Sequence, residues 1–154
     1  MAGNDCRGQK EAMKRAVDVA FAIVAVIVIT LAVISISRRR HVESMMCGNY
    51  ISSIGLATEV WAQDNHNILP NNFIEMSNEL TMTKILICPG DRTRRPAKDF
   101  ASLTPTNSSY VLLTPGVPWN DTNAFLRCQV HGHLGYADGT VFDGKQRRSK
   151  IFPK

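Results

Sequence analysis

Four cysteines and a closely spaced histidine pair are the residues whose types and spacing could do chemistry: Cys6, Cys47, Cys88 and Cys128, with His131 and His133. Cys88 and Cys128 follow strand-like segments on either side of a long loop. A disulfide between them would close a loop of about 40 residues and stabilise the domain by about 3–4 kcal/mol in the chain-entropy model. The alternative is a pair of buried free thiols. Cys47 has no obvious partner and falls on an apolar helical stripe, where it packs as a small hydrophobe. Around His131 and His133 stand Asp138 and Asp143. His-x-His on a strand points both rings to one face, which suits zinc. A third ligand would have to come from the turn, where Asp138 serves hairpin geometry instead, so no metal is assigned. The chain has no Gly-x-Ser-x-Gly, phosphate loop or His-Glu-x-x-His motif. A Cys128–His131 nucleophile would need a thiolate that the disulfide abolishes. The reading is a non-enzyme without a cofactor.

These residues must be positioned by a chain whose main feature is Val19 to Ser37, VAFAIVAVIVITLAVISIS, free of charge and flanked by Asp18 and Arg38-Arg39-Arg40. A helix over this stretch rises about 28 Å, close to the hydrocarbon thickness of a bilayer. A chain of 154 residues rarely builds a core that surrounds such a helix on every face. Val19, Phe21, Ile23, Val26, Ile29, Leu31, Ile34 and Ile36 are therefore read as a membrane anchor whose partner is lipid. No small-x-small cleavage site precedes the arginines, which favours a retained anchor over a signal peptide. Lys and Arg counts on the two sides are almost even. The three cysteines after the span favour an oxidising compartment there. The expected topology is single-pass in the inner membrane, N-terminus cytoplasmic and globular part extracytoplasmic.

The net charge of +5 sits in clusters: Arg38 to Arg40; Arg92, Arg94, Arg95 and Lys98; and a tail with Lys145, Arg147, Arg148, Lys150 and Lys154. Such clusters suit anionic headgroups, surface contacts or nucleic acid, but solvated loops and a frayed terminus are the preferred explanation, and nucleic acid has no further support.

Residues 1–15 read as a polar cytoplasmic tail, 16–40 as the membrane-spanning part of a long helix, and 41–70 as its extramembrane part. Cys47, Tyr50, Ile51, Ile54, Ala57 and Trp61 recur at spacings of three and four, one apolar stripe. Asp64 to Asn67 followed by Pro70 ends the helix. The remainder, 71–154, is a small head with a basic tail. Asn72 with Glu75 predicts a capped short helix. Ile85–Ile87, Ser109–Leu113 and Phe125–Val130 predict strands, and Asp138-Gly139 predicts a two-residue hairpin turn. A long helix packed against a small antiparallel sheet is an α+β fold.

Taken together, these pieces resemble the type IV pilin-like proteins, including type II secretion pseudopilins of the planctomycete and verrucomicrobial prepilin type. CGNYISSIGLATEVWAQDNHNILP (Cys47 to Pro70), ICPGD (Ile87 to Asp91) and CQVHGHLGYADGTVF (Cys128 to Phe142) carry the resemblance with the apolar span. It implies a pilin-like fold, the same Cys88–Cys128 pairing, and filament or pseudopilus assembly with homologous or different pilin-like subunits. It also implies a processed, methylated N-terminus with an acidic residue five positions in. Asp18 supplies that acid if Lys14 begins the mature chain, but Met13 stands where the family has Gly. Two other readings stay open: a non-assembling, membrane-anchored binding module, and a metal-dependent hydrolase using His131 and His133.

Overall fold

The computed structural model describes residues 5–120, 122–144 and 147–148. The side chains of Cys6 and of the basic tail from Lys145 to Lys154 lie outside the described residues. The chain divides into two compact units, Met1–Arg40 and His41–Lys154.

One helix, α1, runs from Asp5 to Asp64, so it begins within the stretch expected to be an irregular tail. Nothing between Asp5 and the apolar span stops a helix, because Gly8 costs only about 1 kcal/mol and no proline intervenes. In the first unit every described side chain of the apolar stretch is exposed, with Phe21 at 72 % and Ile29 at 61 %. Mean hydropathy there reaches 3.1, and this is one helix long and apolar enough to cross a membrane. Two of its hydroxyls bond inside the helix: Thr30 Oγ1 donates to the Ile27 carbonyl and Ser35 Oγ to that of Leu31, each at 2.8 Å. Hydrocarbon demands that internal satisfaction.

In the second unit the expected stripe is buried. Cys47, Ile51, Ile54 and Ala57 join Phe73, Met76, Leu86, Tyr110, Phe125, Leu126 and Val141 in one apolar core, with Trp61 packed against it. Polar members of the same face are paired: Ser52 Oγ donates to the Gly139 carbonyl at 2.7 Å, and Thr58 Oγ1 to that of Ile54 at 2.9 Å. The helix ends where Asn65, His66 and Asn67 turn the chain, the last two at positive φ. Beyond it, Leu69 and Asn67 bond the segment at Val117–Trp119, a pairing no periodicity signals.

The sheet is an antiparallel meander in the order β1 (Tyr110–Leu112), β2 (Ala124–Cys128), β3 (Leu134–Tyr136), β4 (Val141–Phe142) and β5 (Arg147–Arg148). A register shift between Ala124 and Leu126 turns two successive side chains, Phe125 and Leu126, into the core. Strict alternation would have exposed one of them.

Three local expectations change. Ile85–Ile87 is not a strand: Thr83–Leu86 forms a 3-10 turn, which buries Leu86 and leaves its carbonyl to accept from Ser109 N at 2.8 Å. The helix expected from Asn72 is delayed to α2, Ser77–Leu80. The capping bonds exist, with Asn72 Oδ1 accepting from the N–H groups of Ile74 and Glu75 and Glu75 accepting from Asn71 N, but they close turns. The hairpin loop has three residues, Ala137 to Gly139, because Tyr136 and Thr140 still pair. Gly139 takes φ +78°, the left-handed position that such loops reserve for glycine.

Candidate metal centre

Three cysteines come together. The donor atoms of Cys47, Cys88, Cys128 and His131 all lie within 4.8 Å of one another. Each arrives from a different part of the fold: Cys47 from the buried face of α1, Cys88 from the turn after the 3-10 segment, and Cys128 from the end of β2. His131 follows in the turn to β3. The three thiols are fully buried and free. The expected Cys88–Cys128 disulfide is therefore not formed in this structure. Cys47 packs in the apolar core as expected and is also a third member of the group, so the cysteines are a trio and not a pair.

The surrounding groups are aimed at sulfur. Val130 and His131 N–H groups each approach Cys128 Sγ at 3.4 Å, and Gly90 N–H serves Cys88. The Tyr110 hydroxyl lies 3.6 Å from Cys47 Sγ. His131 Nδ1 is 3.1 Å from Cys88 Sγ. Hydrogen-bond donors converge on Cys128. Hydrogen bonds from the Cys47 and Cys88 thiols, helped by the two backbone N–H groups, pull its pKa well below the usual thiol range. The same contacts with Cys128 push Cys88 up to about 11 and Cys47 far above the thiol range, burial adding to both. Burial likewise raises Tyr110, reinforced by the neighbouring thiols. Such a cluster can share protons, oxidise to a disulfide, or exchange its protons for a thiophilic cation.

The histidine pair does not act as expected. His131 and His133 stack with ring centroids 5.3 Å apart, but they lie in the turn between β2 and β3 and not on a strand. His133 Nε2 meets Ser44 Oγ at 3.2 Å, whereas His131 joins the thiols. Asp138 accepts from the N–H and hydroxyl of Thr140, so it serves the hairpin. The spacings Cys88-Pro-Gly and Cys128-x-x-His131 were the available signal for the cluster. What they lacked was the fourth donor, which only the packing of α1 on the sheet supplies.

The basic loop is tied down by ion pairs and hydrogen bonds at Arg92 and Arg94. Arg92 pairs with Glu43 on α1, and Arg94 bonds both Asp91 and Gln129. Arg92, Arg95 and Lys98 are exposed and Arg94 is half-buried. Asp91 organises this loop: its side chain is 2 % exposed and accepts from Thr93, Arg94 and Ser109. Burial alone would raise its pKa, but Arg94, Ser109 and Thr93 outweigh that and hold it well below the carboxylate range. Asp18 stands exposed on α1 just before the apolar residues from Val19 to Ile36, which are exposed as well. Compared with protein-family models, with curated proteins and with solved structures, the chain matches none.

Proposed function

We propose that the protein is a pilin-like or pseudopilin-like structural subunit, held in the inner membrane by the first part of α1 and assembling through it, with its head extracytoplasmic. The observation that carries this reading is the division of labour along one unbroken helix. Its first part exposes apolar residues on all sides, and its second part buries one face under a small antiparallel sheet. Lipid covers the first part before assembly, and neighbouring copies of the same helix, or those of related subunits, cover it afterwards. Asp18 then sits at the edge of the apolar contact, where an acid can neutralise a neighbour's terminal amine. The role is mechanical, with no catalysis, and the exposed basic-loop side chains Arg92, Arg95 and Lys98 are placed to contact another subunit.

A second reading, an anchored binding module that does not assemble, is favoured by Met13 at the position where the resemblance calls for Gly. Site-specific photocrosslinking from position 29 in cells separates the two. Assembly yields a ladder of protein–protein adducts through the helix, whereas the binding module yields lipid adducts alone.

A further inference from the structure

We propose that Cys47, Cys88, Cys128 and His131 bind one zinc ion in a closed tetrahedral site that fastens α1 to the sheet. The ligand set is one of those used by structural zinc sites, and four donors at zinc-ligand distance stand about 3.5–3.8 Å apart around a tetrahedron. The four atoms here fall within 4.8 Å of one another, already gathered before any ion enters. All three sulfurs are fully buried, and four protein ligands fill the tetrahedron, which makes the site structural and not catalytic.

Three further features fit a bound cation. First, N–H groups of Gly90, Val130 and His131 and the Tyr110 hydroxyl point at the sulfurs, as outer partners of ligating thiolates do. Second, the turn Cys88-Pro89-Gly90 and the turn Cys128-Gln129-Val130-His131 each wrap backbone donors around a sulfur. Third, a Cβ at Gly90 would stand 2.8 Å from Cε1 and 3.1 Å from Nε2 of His131. The glycine thus leaves room for the imidazole to lie with Nδ1 toward the thiols.

Binding needs no oxidant. Each ligating thiol surrenders its proton to solvent, neutral His131 coordinates through Nδ1 and keeps the proton on Nε2, and zinc stays divalent. Three thiolates and one zinc leave a single negative charge, which the four aimed donors offset. The site ties together residues far apart in sequence, including the helix that carries the anchor. A pulling force on α1 would then be borne by metal–sulfur bonds as well as by packing.

The test uses the full chain, its free thiols blocked in one whole-cell sample to record any native disulfide, and otherwise purified in detergent under reducing conditions. Elemental analysis is expected to find one zinc per chain, and cobalt(II) alone, added after chelation, should give the intense sulfur-to-cobalt absorption of tetrahedral thiolate coordination. Cys47→Ser and His131→Ala should lose zinc, while His133→Ala keeps it. Gly90→Ala and Tyr110→Phe, which keep every ligand, should each weaken binding by about 10–100-fold. The proposal is overturned by wild-type protein that takes up neither metal while its thiols titrate as free. It is equally overturned by a native Cys88–Cys128 disulfide, by iron in place of zinc, or by zinc held equally well in Cys47→Ser and His131→Ala.

Discussion

Two glycines on the same helix should respond oppositely to alanine. Gly55 faces the β3–β4 hairpin, and a Cβ there would lie 2.8 Å from Gly139 Cα, 2.9 Å from the Tyr136 carbonyl oxygen and 3.1 Å from Gly139 N. All three are backbone atoms of a tight turn, so relief requires the helix and hairpin to separate. Gly48 borders open space, and a methyl group added to it would meet nothing within 4 Å. Alanine is favoured over glycine within a helix by about 0.8–1.0 kcal/mol, and overpacking a tight contact costs about 1–3 kcal/mol. Gly48→Ala should therefore stabilise the head by up to about 1 kcal/mol. Gly55→Ala should destabilise it by up to about 2 kcal/mol after the helix gain is subtracted, and more if Ser52 loses its bond to Gly139. Each kcal/mol moves the melting temperature by about 4–8 °C in a domain of this size. Thermal unfolding in mild detergent, followed by fluorescence of Trp61 and Trp119, reads both changes. Gly55→Ala as stable as Gly48→Ala would refute the close approach of α1 to the hairpin, and with it the packing that brings Cys47 to the sheet.

Further outcomes are expected from the same assay. Ser52→Ala leaves the Gly139 carbonyl without its buried donor and should cost about 1–3 kcal/mol; no measurable loss would mean the carbonyl finds water. Asp91→Asn removes a charged acceptor from Arg94 and should cost about 1.5–3 kcal/mol at neutral pH, an effect absent if the loop is held by Pro89 and Pro96 alone. Because folding depresses the Asp91 pKa, its contribution is complete above the unfolded value of about 3.9 and lost as pH falls through the lower folded value. The wild-type advantage over Asp91→Asn should accordingly persist at pH 6 and shrink in strong acid, and a pH-independent difference contradicts the assignment. Asn72→Ala should cost about 1 kcal/mol by releasing two capped N–H groups, and an unchanged melting temperature would show that the turn closes without them.

The parts of the fold that sequence made legible are those written in local periodicity. The uncharged run from Val19 to Ser37 and the stripe from Cys47 to Trp61 announce one helix with two environments, and Asp138-Gly139 announces a hairpin. Even there the loop length depended on whether Tyr136 and Thr140 still paired, which composition does not encode. Ile85–Ile87 reads as a strand because apolar and β-branched residues are good strand formers, yet the long-range bond from Ser109 to Leu86 and burial of Leu86 favour a 3-10 turn. The cysteine cluster was half legible. Cys88 and Cys128 suggested each other, but two residues seen together invite a disulfide, and the third sulfur looked like core. Its ligand character lies in where α1 crosses the sheet.

Assembly is decided by where the intact chain is found when cells carrying it are sheared. Packing of subunits through the exposed apolar part of α1 predicts the protein in the released filament fraction alongside other pilin-like subunits, and its depletion from that fraction when Ile29 is replaced by Lys. Recovery of all the protein in the membrane fraction, unchanged by Ile29→Lys, would contradict it.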